Sequence, residues 1–283
     1  SPAGGWEIVA VDNASTDDTP AILKQWTTRL PIVCVSESAP GKNAALNTGL
    51  LRACGDLIIL TDDDILPATN WLVDYQRVAE EQSGYAVFAG PVLPEWETEP
   101  PVELKDVTLA GPLFALTPPC QKDGPISPYS VFGPNMAVRR SIFDRGYRFD
   151  TRIGPSPSIH YAMGSETEFV VRLNQDGYVP WFACAPFVRH IICAHQLKRE
   201  WITQRARRYG RGRARAQIGA ASESVRPKTV FGVPRWTIRR LMVLAVRACY
   251  AHLSGRREDA LHAHWDFHEL LGWSHERREI DRR

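Results

Sequence analysis

A chain of 283 residues with 44% hydrophobic content and nine tryptophans has the means to bury a sizeable core, which excludes a disordered polypeptide. Its 34 basic and 32 acidic side chains leave a formal charge of +2, so the molecule as a whole has no electrostatic bias toward nucleic acid. The six cysteines (34, 54, 120, 184, 193 and 249) include no C-x-x-C pair, which argues against zinc and a disulfide framework and fits a reducing cytoplasm; no apolar run approaches the roughly 18 residues that would span a bilayer.

Residues 7–11 read as a buried strand that ends at Asp12-Asn13-Ala14-Ser15, small polar residues that favour a turn. Capping side chains around Asp17 and an early Pro20 then open a helix in which Ile22, Leu23, Trp26 and Leu30 recur at helical spacing. A short strand over 32–35 precedes a helix that starts at Gly41-Lys42-Asn43 and stops near Gly55. A strand over 56–61, a helix over 71–82 and a strand over 85–89 follow. Strands alternating with helices predict an α/β domain with a mostly parallel sheet, whose ligand crevice lies at the carboxyl ends of the strands. Asp12 and Asp62-Asp63-Asp64 both fall at such ends.

The proline-rich stretch 90–128 is weakly periodic and is expected to be a long loop or lid. Order resumes at Tyr129 with a segment carrying Gly133-Pro134-Asn135-Met136-Ala137, and Gly164-Ser165-Glu166-Thr167-Glu168 opens a helix whose Val170, Val171 and Leu173 form an apolar face. Short strands are expected over 179–182 and 187–192. The expected organisation is a domain over 1–195 and a basic helical extension over 196–283 with amphipathic segments at 236–253 and 260–273. Lys198, Arg199, Arg205, Arg207, Arg208, Arg211, Arg213 and Arg215, against the single acid Glu200, form a cationic stripe there. It reads as a solvated face, a docking surface for anionic lipid, or a site for a phosphorylated ligand.

Three adjacent carboxylates repel one another and resist desolvation, so the triplet at 62–64 calls for a cation or for water. Mg²⁺ or Mn²⁺ would take carboxylate oxygens and keep positions open for phosphates, whereas the plainer alternative is a solvated turn capping the next helix. Glu166 at a helix start suits a general base or simple dipole compensation. Lys42, also at a helix start, could meet an anion or stand in solvent.

Several blocks in one order resemble a family 2 glycosyltransferase of the GT-A fold. They are Val11-Asp12-Asn13-Ala14-Ser15, Gly41-Lys42-Asn43-Ala44-Ala45-Leu46-Asn47, Leu60-Thr61-Asp62-Asp63-Asp64, Gly133-Pro134-Asn135-Met136-Ala137, Gly164-Ser165-Glu166-Thr167-Glu168 and Val188-Arg189-His190. The resemblance covers roughly 6–215. It implies an inverting, metal-dependent enzyme that moves a sugar from a nucleotide diphosphate to an acceptor hydroxyl, in polysaccharide or glycolipid assembly; the basic stripe, followed by Trp236, Ile238, Leu241 and Leu244 with Arg239 and Arg240, adds the expectation of peripheral attachment at the cytoplasmic face of a membrane. The resemblance implies Glu166 as catalytic base, Asp12, Asn13, Lys42, Asp62, Asp63 and Asn135 as nucleotide or donor contacts, and Asp62, Asp64 and His190 around Mn²⁺ or Mg²⁺, with His195 the alternative ligand. Two departures stand out: the family's first central strand has no counterpart, so the sequence is expected to begin inside a longer protein with the middle of its sheet missing, and Ser165-Glu166 stands where many relatives carry Glu-Asp. The competing readings are a sugar-phosphate nucleotidyltransferase and a non-catalytic remnant that binds sugar nucleotides.

Overall fold

A computed structural model describes residues 1–105, 107–119, 121–220, 229–230 and 233–282; Cys120 lies outside them. The chain forms two compact units, one of residues 1–95, 115–159 and 165–191 and one of residues 96–114, 160–164 and 192–283. The second unit thus takes in two segments that precede 195 in the sequence.

β-branched and leucine-rich runs give β1 (Ile8–Asp12), β2 (Ile32–Ser36) and β3 (Leu57–Leu60), separated by α1 (Thr19–Trp26) and α2 (Lys42–Leu50). The acidic triplet leads not into a helix but into β4 (Ile65–Pro67), and α3 (Trp71–Glu81) takes Asn70 as its N-cap, so the triplet does not cap the next helix. Then come β5 (Val87–Ala89), β6 (Val92–Trp96), α4 (Val107–Phe114), β7 (Gly124–Pro125), β8 (Met136–Arg139), α5 (Arg140–Asp144), α6 (Ser165–Gln175), β9 (Trp181–Phe182) and β10 (Val188–Ile192).

The sheet is mixed rather than mostly parallel. Its five strands run in the order β3-β8-β5-β9-β7, and β8 is antiparallel to both β3 and β5. The chain reverses through the helical turn Gly133–Asn135 directly into β8, so β8 enters between two strands that share a direction. Alternation along the strands assigns the two faces. Val87 and Ala89 of β5 and Met136 and Val138 of β8 pack with Phe169, Val170 and Leu173 of α6, whereas Phe88 and Ala137 point the other way, to Tyr75, Val78 and Ala79 of α3. Phe169 is fully buried and stacks on Phe149 at 4.3 Å, a contact whose loss by truncation to alanine would cost about 3–5 kcal/mol.

β1 and β2 pair in parallel as a separate two-stranded sheet, and β4, β10 and β6 form a third. Between β1 and β3 lies a cavity of about 1780 Å³, lined by Val9, Val11, Leu46, Leu50, Ile58 and Leu60 among others.

The stretch 90–128, expected as a loop, carries β6, a helical turn at Val102–Lys105 and α4. Buried Leu104, Leu109, Leu113 and Phe114 give it a core that the prolines obscured, and Phe114 stacks on Trp201 at 5.8 Å. That stacking lies within the second unit, which continues with α7 (Arg199–Ala220), the hairpin of β11 (Thr229–Val230) and β12 (Val233–Pro234), α8 (Arg235–Leu253) and α9 (Arg257–Ile280). The backbones of α7 and α9 approach closely: a Cβ at Gly210 would stand 1.9 Å from the Glu269 carbonyl oxygen, and one at Gly272 would stand 2.0 Å from that of Arg207.

Much of the basic stripe on α7 is paired within the unit. Arg211 bonds Glu276 and Glu279, Arg215 bonds Glu276 at 2.6 Å, and Arg213 meets Glu269. Glu276 is 2% exposed, so the two arginines neutralise a carboxylate that could not stay charged alone in that position.

Candidate functional site

α2 begins at Lys42, whose side chain reaches across to the end of β3 and the start of α6. Its Nζ donates to Asp62 Oδ1 at 2.5 Å and to Glu166 Oε1 at 2.7 Å. Burial alone would lower the Lys42 ammonium, but the Glu166 and Asp62 carboxylates more than offset this and hold it above the ordinary lysine range. Burial likewise pushes Glu166 upward. The Lys42 charge, its hydrogen bond, the Glu166 backbone N–H and the Ser165 hydroxyl at 2.8 Å outweigh that and bring Glu166 down to about 2. For Asp62 the balance falls the other way, since desolvation and the neighbouring Glu166 and Asp64 charges raise it despite Lys42.

Asp64 forms a second pair. β4 and β10 are antiparallel with Ile65 opposite His190, which brings His190 Nε2 to 3.2 Å from Asp64 Oδ2. Burial raises the Asp64 carboxyl, but the His190 hydrogen bond and charge bring it below its usual value. The other Asp64 oxygen, Oδ1, is buried without a hydrogen-bond partner. Among the described residues no three His, Cys, Asp or Glu side chains are gathered closely enough to hold a metal alone. An orphaned carboxylate oxygen beside an imidazole, in a site whose carboxylates outnumber its lysine, nevertheless fits a divalent cation that draws its remaining ligands from phosphate and water.

The close approach of Glu166 depends on Gly133. A Cβ there would lie 2.3 Å from Glu166 Oε1 and 2.7 Å from Cδ. Gly154, at φ +96°, leaves room for Ser165 in the same way. Asn43, one residue after Lys42, donates to the Asp150 and Ile153 carbonyls, and Asn47 exchanges two hydrogen bonds with the Phe149 backbone. These asparagines fasten the 149–154 loop to α2. Neither was singled out from sequence, although their i, i+4 spacing on a helix otherwise made of small and apolar residues was the available signal.

The remaining expected residues divide. Asn13, Lys42, Asp62 and Asp63 line one cavity, and Asp63 is exposed. Asp12 accepts from the Ser15 N–H at 3.1 Å, which fastens the turn after β1. Asn13 clasps the loop before α2: its amide donates to the Glu37 and Ala39 carbonyls and accepts from the Gly41 N–H. Asn135 does other work than the expected donor contact. It is fully buried, its Oδ1 accepts from Trp71 and Tyr75, and its Nδ2 donates to the Pro91 and Pro186 carbonyls. Two donors and two lone pairs are thereby used, so its amide keeps no capacity for a ligand. His195 falls in the helical turn Ala194–Leu197 of the second unit.

The family model described as glycosyl transferase family 2 matches residues 2–146, just over half of the chain. The chain belongs to that family. This family 2 chain is 32% identical over 73 residues to the glycosyltransferase AglE of Haloferax volcanii, an alignment covering 25% of it and 24% of AglE. Its fold is similar to the mannosyltransferase PcManGT of Pyrobaculum calidifontis, solved with GDP-Man and Mn²⁺ (TM-score 0.53, 20% identity, 77% of this chain and 56% of that one). It is also similar to residues 1–349 of TarS from S. aureus, solved with UDP (TM-score 0.51, 14% identity, 100% and 84%). At those identities the likeness is one of fold, the GT-A fold. The family 2 chain spans about a quarter of the curated relative's length and 56% of PcManGT.

Proposed function

We propose that this chain carries the catalytic unit of an inverting glycosyltransferase that moves a sugar from a nucleotide diphosphate to an acceptor hydroxyl, with Glu166 as general base. The single observation that carries the reading is the Lys42 ammonium held between Asp62 and Glu166, with Asp64 and His190 paired nearby. Family membership supports it, and so do the GDP-Man and UDP ligands of the two similar folds.

Lys42 is the movable charge in this scheme. A carboxylate near 2 is ionised at neutral pH but is a poor proton acceptor, so Glu166 gains basicity only when Lys42 leaves it. An incoming diphosphate offers the competing anion, and the positive end of the α2 dipole lies at the same place. Donor binding would draw Lys42 toward the phosphates, and Glu166 would then accept the proton of the attacking hydroxyl. Ser165 keeps the Glu166 carboxylate oriented through its hydrogen bond. Asn13, Asp12 and Asp63 would meet the nucleoside. Asp64 and His190, joined by Asp62 once Lys42 has moved, would hold Mn²⁺ or Mg²⁺, which when bound neutralises charge on the departing diphosphate. Attack opposite the leaving group by one activated hydroxyl would give anomeric inversion. Cys34, Cys54, Cys184, Cys193 and Cys249 are free thiols, which supports a reducing compartment such as the cytoplasm. A polysaccharide or lipid-linked acceptor is the reading we favour.

The test is Glu166→Gln, assayed with a panel of UDP- and GDP-sugars. Turnover is expected to fall about 10²–10⁴-fold while calorimetric binding of the nucleotide diphosphate with Mn²⁺ stays within about twofold. Equal loss of binding and turnover would move the base elsewhere, and donor binding without turnover in the unsubstituted protein would favour a sugar-nucleotide-binding remnant.

A further inference from the structure

The second unit presents a surface that glycosyl transfer does not use. α8 packs one side against α9, with Thr237, Leu244 and Ala251 buried at spacings of seven. Its opposite side carries Ile238, Met242, Val246 and Tyr250 at successive steps of four, then Leu253, with Val243 and Trp236 alongside. All are exposed, and Met242, Val246 and Leu253 are 60%, 69% and 86% exposed. A single exposed leucine is ordinary on a protein surface, but an apolar stripe over about four turns, interrupted by Arg239, is not.

The charges on α8 itself are of one sign. Arg235, Arg239, Arg240 and Arg247 are all exposed, and α8 contains no aspartate or glutamate. This differs from α7, where Arg211, Arg213 and Arg215 turn inward to α9 carboxylates. α8 is nevertheless too polar to cross a membrane, since no helix among the described residues is long and apolar enough.

We propose that α8 is an in-plane membrane-docking helix that seats this unit on an anionic lipid surface. Its apolar side would enter the boundary between headgroups and acyl chains, while the arginine stems lie along that boundary and lift their guanidinium groups to the phosphates. The absence of acid from the helix removes the repulsion that an anionic surface would otherwise meet. A protein partner or a second copy of the chain would bury the apolar stripe equally well, but neither calls for four unopposed arginines beside it. The proposal rests on α8 because Arg211, Arg213 and Arg215 of the α7 stripe are already paired with α9 carboxylates.

The experiment is co-sedimentation of the full chain with neutral phosphatidylcholine vesicles and with vesicles that also contain phosphatidylglycerol. Binding is expected to the anionic vesicles and to weaken as salt rises. Met242→Glu with Val246→Glu should weaken it at least about tenfold, and Arg239→Glu with Arg240→Glu should do so while flattening the salt dependence. Circular dichroism verifies that each variant keeps its helices, and the salt series on the unsubstituted chain tests the idea without any variant. Failure of the unsubstituted chain to sediment with anionic vesicles would overturn the proposal. So would arginine variants that bind as well as it does, or a dimer in sedimentation equilibrium that Val246→Glu breaks without any lipid binding. Vesicle binding needs neither donor nor metal, so a negative result here leaves glycosyl transfer standing, and failure of the Glu166 test leaves docking untouched.

Discussion

Gly133 determines where the Glu166 carboxylate is able to sit, because any side chain at 133 would occupy the position of Oε1. Gly133→Ala should therefore displace Glu166 without removing it. A displacement of about 1 Å costs roughly a hundredfold in turnover, and the melting temperature should change little because Glu166 can rotate toward solvent. A variant with normal turnover would show that Glu166 reacts from another position. Lys42→Met tests the other contact. Without the ammonium, burial is opposed only by the Ser165 and backbone hydrogen bonds, and the Glu166 carboxyl should rise from about 2 toward its ordinary value. The acid limb of the kcat/KM profile, which reports the free enzyme, would then move upward into a measurable range, and an unmoved limb would show that Lys42 does not hold Glu166 before the donor binds. Sequence made Glu166 and Lys42 candidates separately, because each opens a helix. Their union was not legible, since 124 positions separate them and only the folded sheet brings the two helix starts together.

At the scale of elements, the pairing of α7 with α9 was the part that sequence hid. The apolar runs of β3 and β5 and the apolar spacing of α6 could be read directly, because each pattern is complete within its own segment. The arginines of α7 look solvated until Glu269, Glu276 and Glu279 arrive from more than fifty residues away, and Gly210 and Gly272 read as weak helix residues until their backbone contacts are known. The same packing encloses His264 and His268, whose rings lie 4.5 Å apart with Arg199 on His264 and Arg207 on His268. Desolvation, then His264 and the two arginines, lower His268 from 6.5 to about 4, so the folded state resists a proton that the unfolded chain accepts. Stability from this residue is complete above pH 6.5 and is lost as pH falls through 6.5 toward 4. With the ring only partly buried, the loss is about 1–2 kcal/mol after allowance for solvent screening. Melting curves across that window should show the decline, and His268→Gln should reduce it; an equal decline in the variant would place the titration elsewhere.

For the whole molecule, the division of the sheet has measurable consequences. The apolar runs that made the strands legible said nothing about which edges would meet, and β1 and β3, though both belong to the first unit, lie in different sheets with an apolar cavity between them. Ile8 donates its N–H to the Pro31 carbonyl on the β2 side, at 2.8 Å. Strand alternation then turns the N–H groups of Val9 and Val11 toward the cavity, while those of Ile8 and Ala10 point to β2. An amide that meets no carbonyl there depends on solvent, so Val9 and Val11 should exchange hydrogen well before Ala10 does, with a ratio of at least about tenfold. β5 is the internal reference, since it has a partner strand on each side, β8 and β9, and its amides should be the slowest in the unit. Comparable protection of Val9, Ala10 and Val11 would mean that the β1 edge is paired in solution. A short synthetic strand that slowed exchange at Val9 and Val11 alone would locate the pairing on the cavity side of β1.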